Sequence, residues 1–136
     1  SLIHKYAADY TVKTQHDKYY LTSHKDKMKF KLKPDIVVSC AQMIVVADTK
    51  WKILDGRRER GNYNISAADM YQLFAYGKKY EQEGFVHLKL IYPQNDQFTQ
   101  PLAPFYYDAG LKLSVIPFDL ESIDTKSQIL SIIGSA

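Results

Sequence analysis

Pro34-Asp35 is followed, thirteen residues after Asp35, by Asp48-Thr49-Lys50. Ile36 to Ser39 and Ile44 to Trp51 read as two apolar, buried strands. Cys40 to Met43 can close them into a hairpin. A symmetric hairpin of that kind sets Asp35 directly opposite Asp48, with Cβ atoms about 5 Å apart. Lys50 lies two residues beyond Asp48, on the same side of the sheet, and Lys52 follows on that side. Two carboxylates so close repel each other, and one protonates unless a cation sits between them. Mg²⁺ suits them, because it takes few protein carboxylates and keeps waters and phosphate oxygens. Bound there, it lowers the pKa of a coordinated water and withdraws charge from a phosphodiester. A neighbouring lysine orients the water or stabilises the developing anion. The bland alternative is an Asp–Lys salt bridge at a sheet edge beside a Pro-Asp turn.

A second spacing lies downstream. Ser66-x-x-Asp69 opens a helix in the manner of a capping box. Gln72 and Tyr76 then fall one turn apart on one face, with Asp69 three residues before Gln72. Met70, Leu73, Phe74 and Gly77 form an adjoining packing face. Gln72 and Tyr76 are read as support for the carboxylate–lysine site or as phosphate contacts. The alternative is a plain helix-surface pair.

Other elements must position these residues. Tyr10 to Gln15 and Lys18 to Ser23 read as short strands. Met28 to Lys33 alternates, so Met28, Phe30 and Leu32 are expected on a buried face and Lys29, Lys31 and Lys33 on the outer one. Residues 1–33 carry eight Lys against three Asp, while the remainder is net acidic. A basic strand leading into Pro34-Asp35 suits the approach of DNA. Lys52 and the loop arginines Arg57 and Arg58 are further candidate backbone contacts. Asp55 to Asn64 reads as a mobile basic loop, and Trp51 as a packing residue. Phe85 to Tyr92 and Leu111 to Asp119 read as strands, residues 94–110 as a loop, and Asp124 to Ile133 as a terminal helix.

Composition limits the rest. The 136 residues fit one domain, with 46% hydrophobic and 24% charged residues and a net charge of +3. The central apolar run Met43 to Ala47 is far too short to span a bilayer. Cys40 is alone, which excludes an internal disulfide and a multi-cysteine zinc site and favours a cytoplasmic setting. His4, His16, His24 and His87 show no metal-ligand spacing.

Pro34-Asp35 with Asp48-Thr49-Lys50 resembles the PD-(D/E)xK nuclease signature, and Gln72-x-x-x-Tyr76 resembles the Q-x-x-x-Y motif of its RecB-like branch. The runs KLKPDIVVS, IVVADTKWK, SAADMYQLFAYGKKY and LIYP, in that order, resemble the nuclease domain of the McrC family over roughly residues 28–93. McrC proteins are the cleavage subunits of 5-methylcytosine-specific restriction systems. The resemblance implies an α/β (α+β), restriction-endonuclease-like mixed sheet flanked by helices. It implies Mg²⁺-dependent DNA cleavage, with Mn²⁺ able to substitute. Asp35, Asp48 and the Thr49 carbonyl would hold the metal, Lys50 would be the catalytic lysine, and Gln72 and Tyr76 would support them. It also implies an AAA+ GTPase partner of the McrB type. The family usually carries a further acid in a Phe-Glu pair on an upstream helix, whereas the first Glu here is Glu59. Residues 1–136 are therefore expected to be a single nuclease domain from a longer subunit, beginning just after that helix. The alternatives are a RecB-like or Holliday-junction-type nuclease of a repair or mobile-element system, and a catalytically silent nucleic-acid-binding module of the same fold.

Overall fold

A computed structural model of the chain describes residues 11–14, 17–39, 43–108 and 110–121. Eight strands and one α-helix are described: β1 (Thr11–Thr14), β2 (Tyr20–His24), β3 (Lys27–Lys31), β4 (Ile36–Ser39), β5 (Met43–Thr49), α1 (Ala67–Tyr80), β6 (Phe85–Pro93), β7 (Phe105–Tyr106) and β8 (Lys112–Phe118). Six of the strands form a mixed sheet in the order β1-β4-β5-β6-β8-β7. β5, β6 and β8 run parallel, and the other pairings are antiparallel. The expected α+β architecture is observed. The expected terminal helix over Asp124 to Ile133 and the Cys40 end of the hairpin turn lie outside the described residues.

The hairpin register matches the symmetric pairing read from the sequence. Ile36 faces Ala47 and Val37 faces Val46. Strand alternation then divides the apolar residues between two faces. Val37, Ile44 and Val46 pack with Leu73, Tyr76, Leu88, Leu90 and Leu113 in the main core, on the side covered by α1. Ile36, Val38, Val45, Ala47, Ile91 and Phe118 cluster on the other side. Asp48 has the parity of Ile44 and Val46, so its carboxylate is carried into the α1 face.

The N-cap Ser66 accepts a hydrogen bond from the Asp69 N–H, and Asp69 occupies the first turn, as expected. Gly77 lets the helix approach β6 and β8. A Cβ there would stand 2.7 Å from Leu111 Cδ1 and 3.1 Å from Leu88 Cδ1. The buried stripe is Leu73, Tyr76, Gly77 and Tyr80. Tyr76 thus belongs to the packing face rather than beside it, while Phe74 sits at the edge, tilted against Tyr107.

Three further expectations need correction. First, β2 and β3 form a separate two-stranded sheet around Lys25-Asp26, both at positive φ as a two-residue I′ hairpin requires. Met28 (55% exposed) and Phe30 (75% exposed) stay outside the core, and only Leu32 reaches it. Phe30 has φ 58°, a left-handed conformation that breaks the alternation of the strand. Second, the segment expected to be a loop over Asp55 to Asn64 contains a 3-10 segment, Glu59–Asn64. It is braced by Asp55 N–H donating to the Tyr63 carbonyl and Gly56 N–H donating to the Gln97 carbonyl. Third, residues 94–110 contain β7 and a turn in which Asn95 bridges Phe98, a fully buried ring.

Candidate active site

β4 and β5 bring Asp35 and Asp48 into reciprocal hydrogen bonds. The Asp35 N–H donates to Asp48 Oδ1 at 2.8 Å. Asp35 Oδ2 accepts from the Thr49 N–H at 2.8 Å and the Thr49 hydroxyl at 2.9 Å. Pro34 supplies no N–H, so the chain leaves the ladder there and the Asp35 amide is available to the carboxylate opposite.

Lys50 extends the β5 ladder by one bond, its N–H donating to the Ile91 carbonyl. Its ammonium is tied from two elements. It donates to Gln72 Oε1 at 2.6 Å and lies 3.5 Å from both Asp48 Oδ2 and Asp69 Oδ1. Tyr76 OH donates to Asp48 Oδ2 at 3.4 Å, and Tyr92 OH donates to Asp69 Oδ2 at 3.1 Å. The five residues singled out in the sequence, Asp35, Asp48, Lys50, Gln72 and Tyr76, therefore meet at one place. Asp69 and Tyr92 join them. From sequence, Asp69 reads as a helix-capping acid. The hydroxyl of Tyr92 lies inside an apolar strand that gives no sequence sign of polar contact.

Asp48 is 4% exposed. Burial, with the Asp35 charge adding to it, pushes its carboxyl up to about 6, against the opposing pull of the Asp35 N–H and Lys50. Burial and the Asp48 charge push the Tyr76 phenol well up, so it stays a proton donor. A positive ion beside Asp48 would relieve both the burial penalty and the Asp35 repulsion. The donor chemistry, two carboxylates and the nearby Thr49 main chain, is of the oxygen type that a hard divalent cation takes. Among the described residues, no three His, Cys, Asp or Glu side chains gather as a self-sufficient metal cage.

The candidate DNA contacts are spread over several segments. Lys29 and Lys31 lie on β3, Lys33 in the link to Asp35, Lys52 just after β5, and Arg57 and Arg58 before the 3-10 segment, all exposed. Lys31 pairs with Asp17 at 3.5 Å, and Arg57 Nε with Asp55 at 3.3 Å. No described hydrogen bond or ion pair joins any of the six to the Asp35–Asp48–Lys50 network. Trp51, expected to pack inside, is 75% exposed, because β5 ends at Thr49 and alternation no longer governs it. Lys89 was not flagged by the sequence. Burial, with Lys112 adding to it, lowers its amine to about 8.

Known proteins resemble the chain in both sequence and fold. The family model of the McrBC 5-methylcytosine restriction system component matches residues 1–93. No curated protein sequence matches significantly. A solved structure from Thermococcus gammatolerans, described as a refined half-complex from a tetradecameric assembly of McrB AAA+ hexamers with bound McrC, contains a chain of similar fold. The TM-score is 0.60 at 15% identity, over 92% of this chain and 27% of that one. The present chain thus spans about a quarter of the length of its structural relative. Among the described residues no helix is long and apolar enough to cross a membrane. With the family match covering more than half of its length, the chain belongs to the McrBC 5-methylcytosine restriction system component family.

Proposed function

We propose that the chain is the nuclease part of a McrC-type subunit, hydrolysing DNA phosphodiester bonds with Mg²⁺ (or Mn²⁺) in a restriction system driven by a McrB-type AAA+ GTPase. The observation that carries this reading is the Asp35–Asp48 pair, locked by reciprocal hydrogen bonds with the Lys50 ammonium 3.5 Å from Asp48. Asp35, Asp48 and the Thr49 carbonyl would hold the metal, which when bound supplies Lewis-acid activation of water and charge withdrawal at phosphorus.

The chain's own residues do the positioning. Gln72, Asp69 and Asp48 fix the Lys50 ammonium from three sides, so it meets a phosphate oxygen or the attacking water without first being ordered. The Tyr76 hydroxyl, held protonated, keeps Asp48 Oδ2 in place. Tyr92 does the same for Asp69. Lys29, Lys31, Lys33, Lys52, Arg57 and Arg58 would meet the DNA backbone as exposed cations.

One observation favours a second reading, a module that binds nucleic acid without turnover: among the described residues, two carboxylates rather than three acids form the candidate metal site. Calorimetric titration with Mn²⁺ separates the two. The nuclease reading expects binding below millimolar metal that is lost in Asp48→Ala. Absence of binding at millimolar Mn²⁺ would favour the silent module.

A further inference from the structure

The β2–β3 hairpin stands out from the body as a free ribbon, with every residue from Leu21 to Lys31 exposed. It carries Lys25, Lys27, Lys29 and Lys31 against Asp26 alone. Among the described ion pairs, one involves it, Lys31 with Asp17. Lys27, Lys29 and Lys31 lie opposite His24, Thr22 and Tyr20, so the three ammonium groups share one face. Phe30 stands between Lys29 and Lys31 with three quarters of its surface in water. Its left-handed φ of 58° is a strained conformation that no burial of the ring accounts for. The base of the ribbon lies near the carboxylate pair. Leu32 is buried, and three residue steps, at most about 11 Å, take the chain from it to Asp35.

We propose that the β2–β3 ribbon enters the major groove of duplex DNA, with its lysines on the phosphates of the groove walls and the Phe30 ring against the C5-methyl groups of thymine. The inference rests on the nuclease reading and adds how that site holds its duplex. Three features carry it. The first is shape. A major groove about 12 Å wide and 8.5 Å deep admits a two-stranded ribbon, whereas the minor groove is only about 6 Å wide. Strands of five residues reach about 17 Å, so the tip can meet the groove floor while the base stays on the body. The second is charge. A protein surface covering Phe30 would also have to neutralise the lysines on either side of it, which the phosphates of a groove do without further provision. The third is the ring itself. The thymine methyl is the apolar group that the major-groove floor offers, and an exposed aromatic side chain is a group that meets it.

The test compares two duplexes of one sequence, the first with thymine and the second with deoxyuridine in its place. They differ only in their major-groove methyl groups. Anisotropy of a dye-labelled strand follows binding of the metal-free protein at fixed salt. The parent is expected to prefer the thymine duplex, by about fourfold for each methyl group taken fully out of water. Phe30→Ala should bind the two duplexes equally and keep the parent's salt slope, because its lysines remain. Phe30→Leu should keep a preference. Phe30→Gly relaxes the backbone, and should lose the preference while melting no lower than the parent. Equal affinity of the parent for both duplexes, or the same preference in Phe30→Ala, would overturn the proposal. So would self-association of the free protein that Phe30→Ala abolishes, which would assign the ribbon to a second copy. Cleavage in Mg²⁺ by a parent without thymine preference would overturn the ribbon's placement and leave the nuclease reading standing. A thymine preference without cleavage would uphold the ribbon and remove the nuclease reading.

Discussion

The β2–β3 and β4–β5 hairpins are both antiparallel and both built from short strands with β-forming residues, yet they meet different surroundings. Val37, Val45 and Val46 are at most 2% exposed, with β1 and β6 flanking their hairpin in the sheet and α1 packed on the Val46 face. Phe30, on β3, is 75% exposed, and the β2–β3 sheet holds to the body through its base. There the Leu32 N–H donates to the Tyr19 carbonyl, the Tyr19 ring stands edge-on to Tyr80 at 4.8 Å, and Lys18 pairs with Glu83. Alternation sorts side chains to two faces, but only a neighbouring layer turns a face into a core. The same contrast separates the chemistry. Burial gives the β5 carboxylate its raised pKa and its fixed partners, while the β3 lysines are exposed, with only Lys31 paired, to Asp17 at the surface, among the described ion pairs.

The largest expected effect on this contrast is on stability. Leu73→Ala removes a fully buried side chain under the β4–β5 hairpin and should cost about 2–5 kcal/mol in urea unfolding. Phe30→Ala should stay within about 0.5 kcal/mol. A comparable loss from Phe30→Ala would mean that β3 is covered after all.

The buried carboxylate comes next. The folded Asp48 carboxyl holds its proton more tightly than the unfolded one, so protonation favours the folded state. That advantage is present below about pH 4 and is lost as pH rises through about 6. In metal-free protein, the unfolding free energy of Asp48→Asn relative to the parent should therefore rise by up to about 3 kcal/mol between pH 4 and pH 7. A flat difference across that window would contradict the buried charge.

Gly56→Ala should cost about 1–3 kcal/mol, because a Cβ there would lie 2.7 Å from the Gln97 carbonyl oxygen, a backbone atom that cannot move aside alone. Phe30→Gly should work in the other direction by up to about 1 kcal/mol, since glycine adopts φ 58° without the steric cost borne by phenylalanine. Smallest in free energy are the surface cations. Replacing Lys29, Lys31 or Lys33 singly by Ala should lower the salt slope of DNA binding by about 0.9 for each lysine that meets a phosphate, with no change in thermal stability. An unchanged slope in all three variants would remove the β3 face from the path of DNA.

Much of the site's placement was legible because it depends on local rules. Strand parity and a symmetric turn set Asp35 against Asp48 and Lys50 on their side. Ser66 fixed the helix start, and the one-turn spacing placed Gln72 and Tyr76 together. What was not legible depends on tertiary contact or on unusual backbone. Phe30 reads as an inward residue until its left-handed φ is known. Trp51 reads as alternating until β5 is seen to end at Thr49. Asp69 has a sufficient local explanation as a first-turn acid, so nothing in the sequence points to its ion pair with Lys50. Tyr92 lies in the apolar run of β6, and its bond to Asp69 exists only because β6 lies beside β5 under the first turn of α1.

Asp48 is the residue on which the proposed nuclease activity most directly depends. With DNA, Mg²⁺ and the proposed McrB-type AAA+ GTPase present, Asp48→Ala should leave the protein folded by circular dichroism and reduce cleavage to background. Full cleavage by a pure, folded Asp48→Ala protein would contradict the central claim that the Asp35–Asp48–Lys50 cluster carries the reaction.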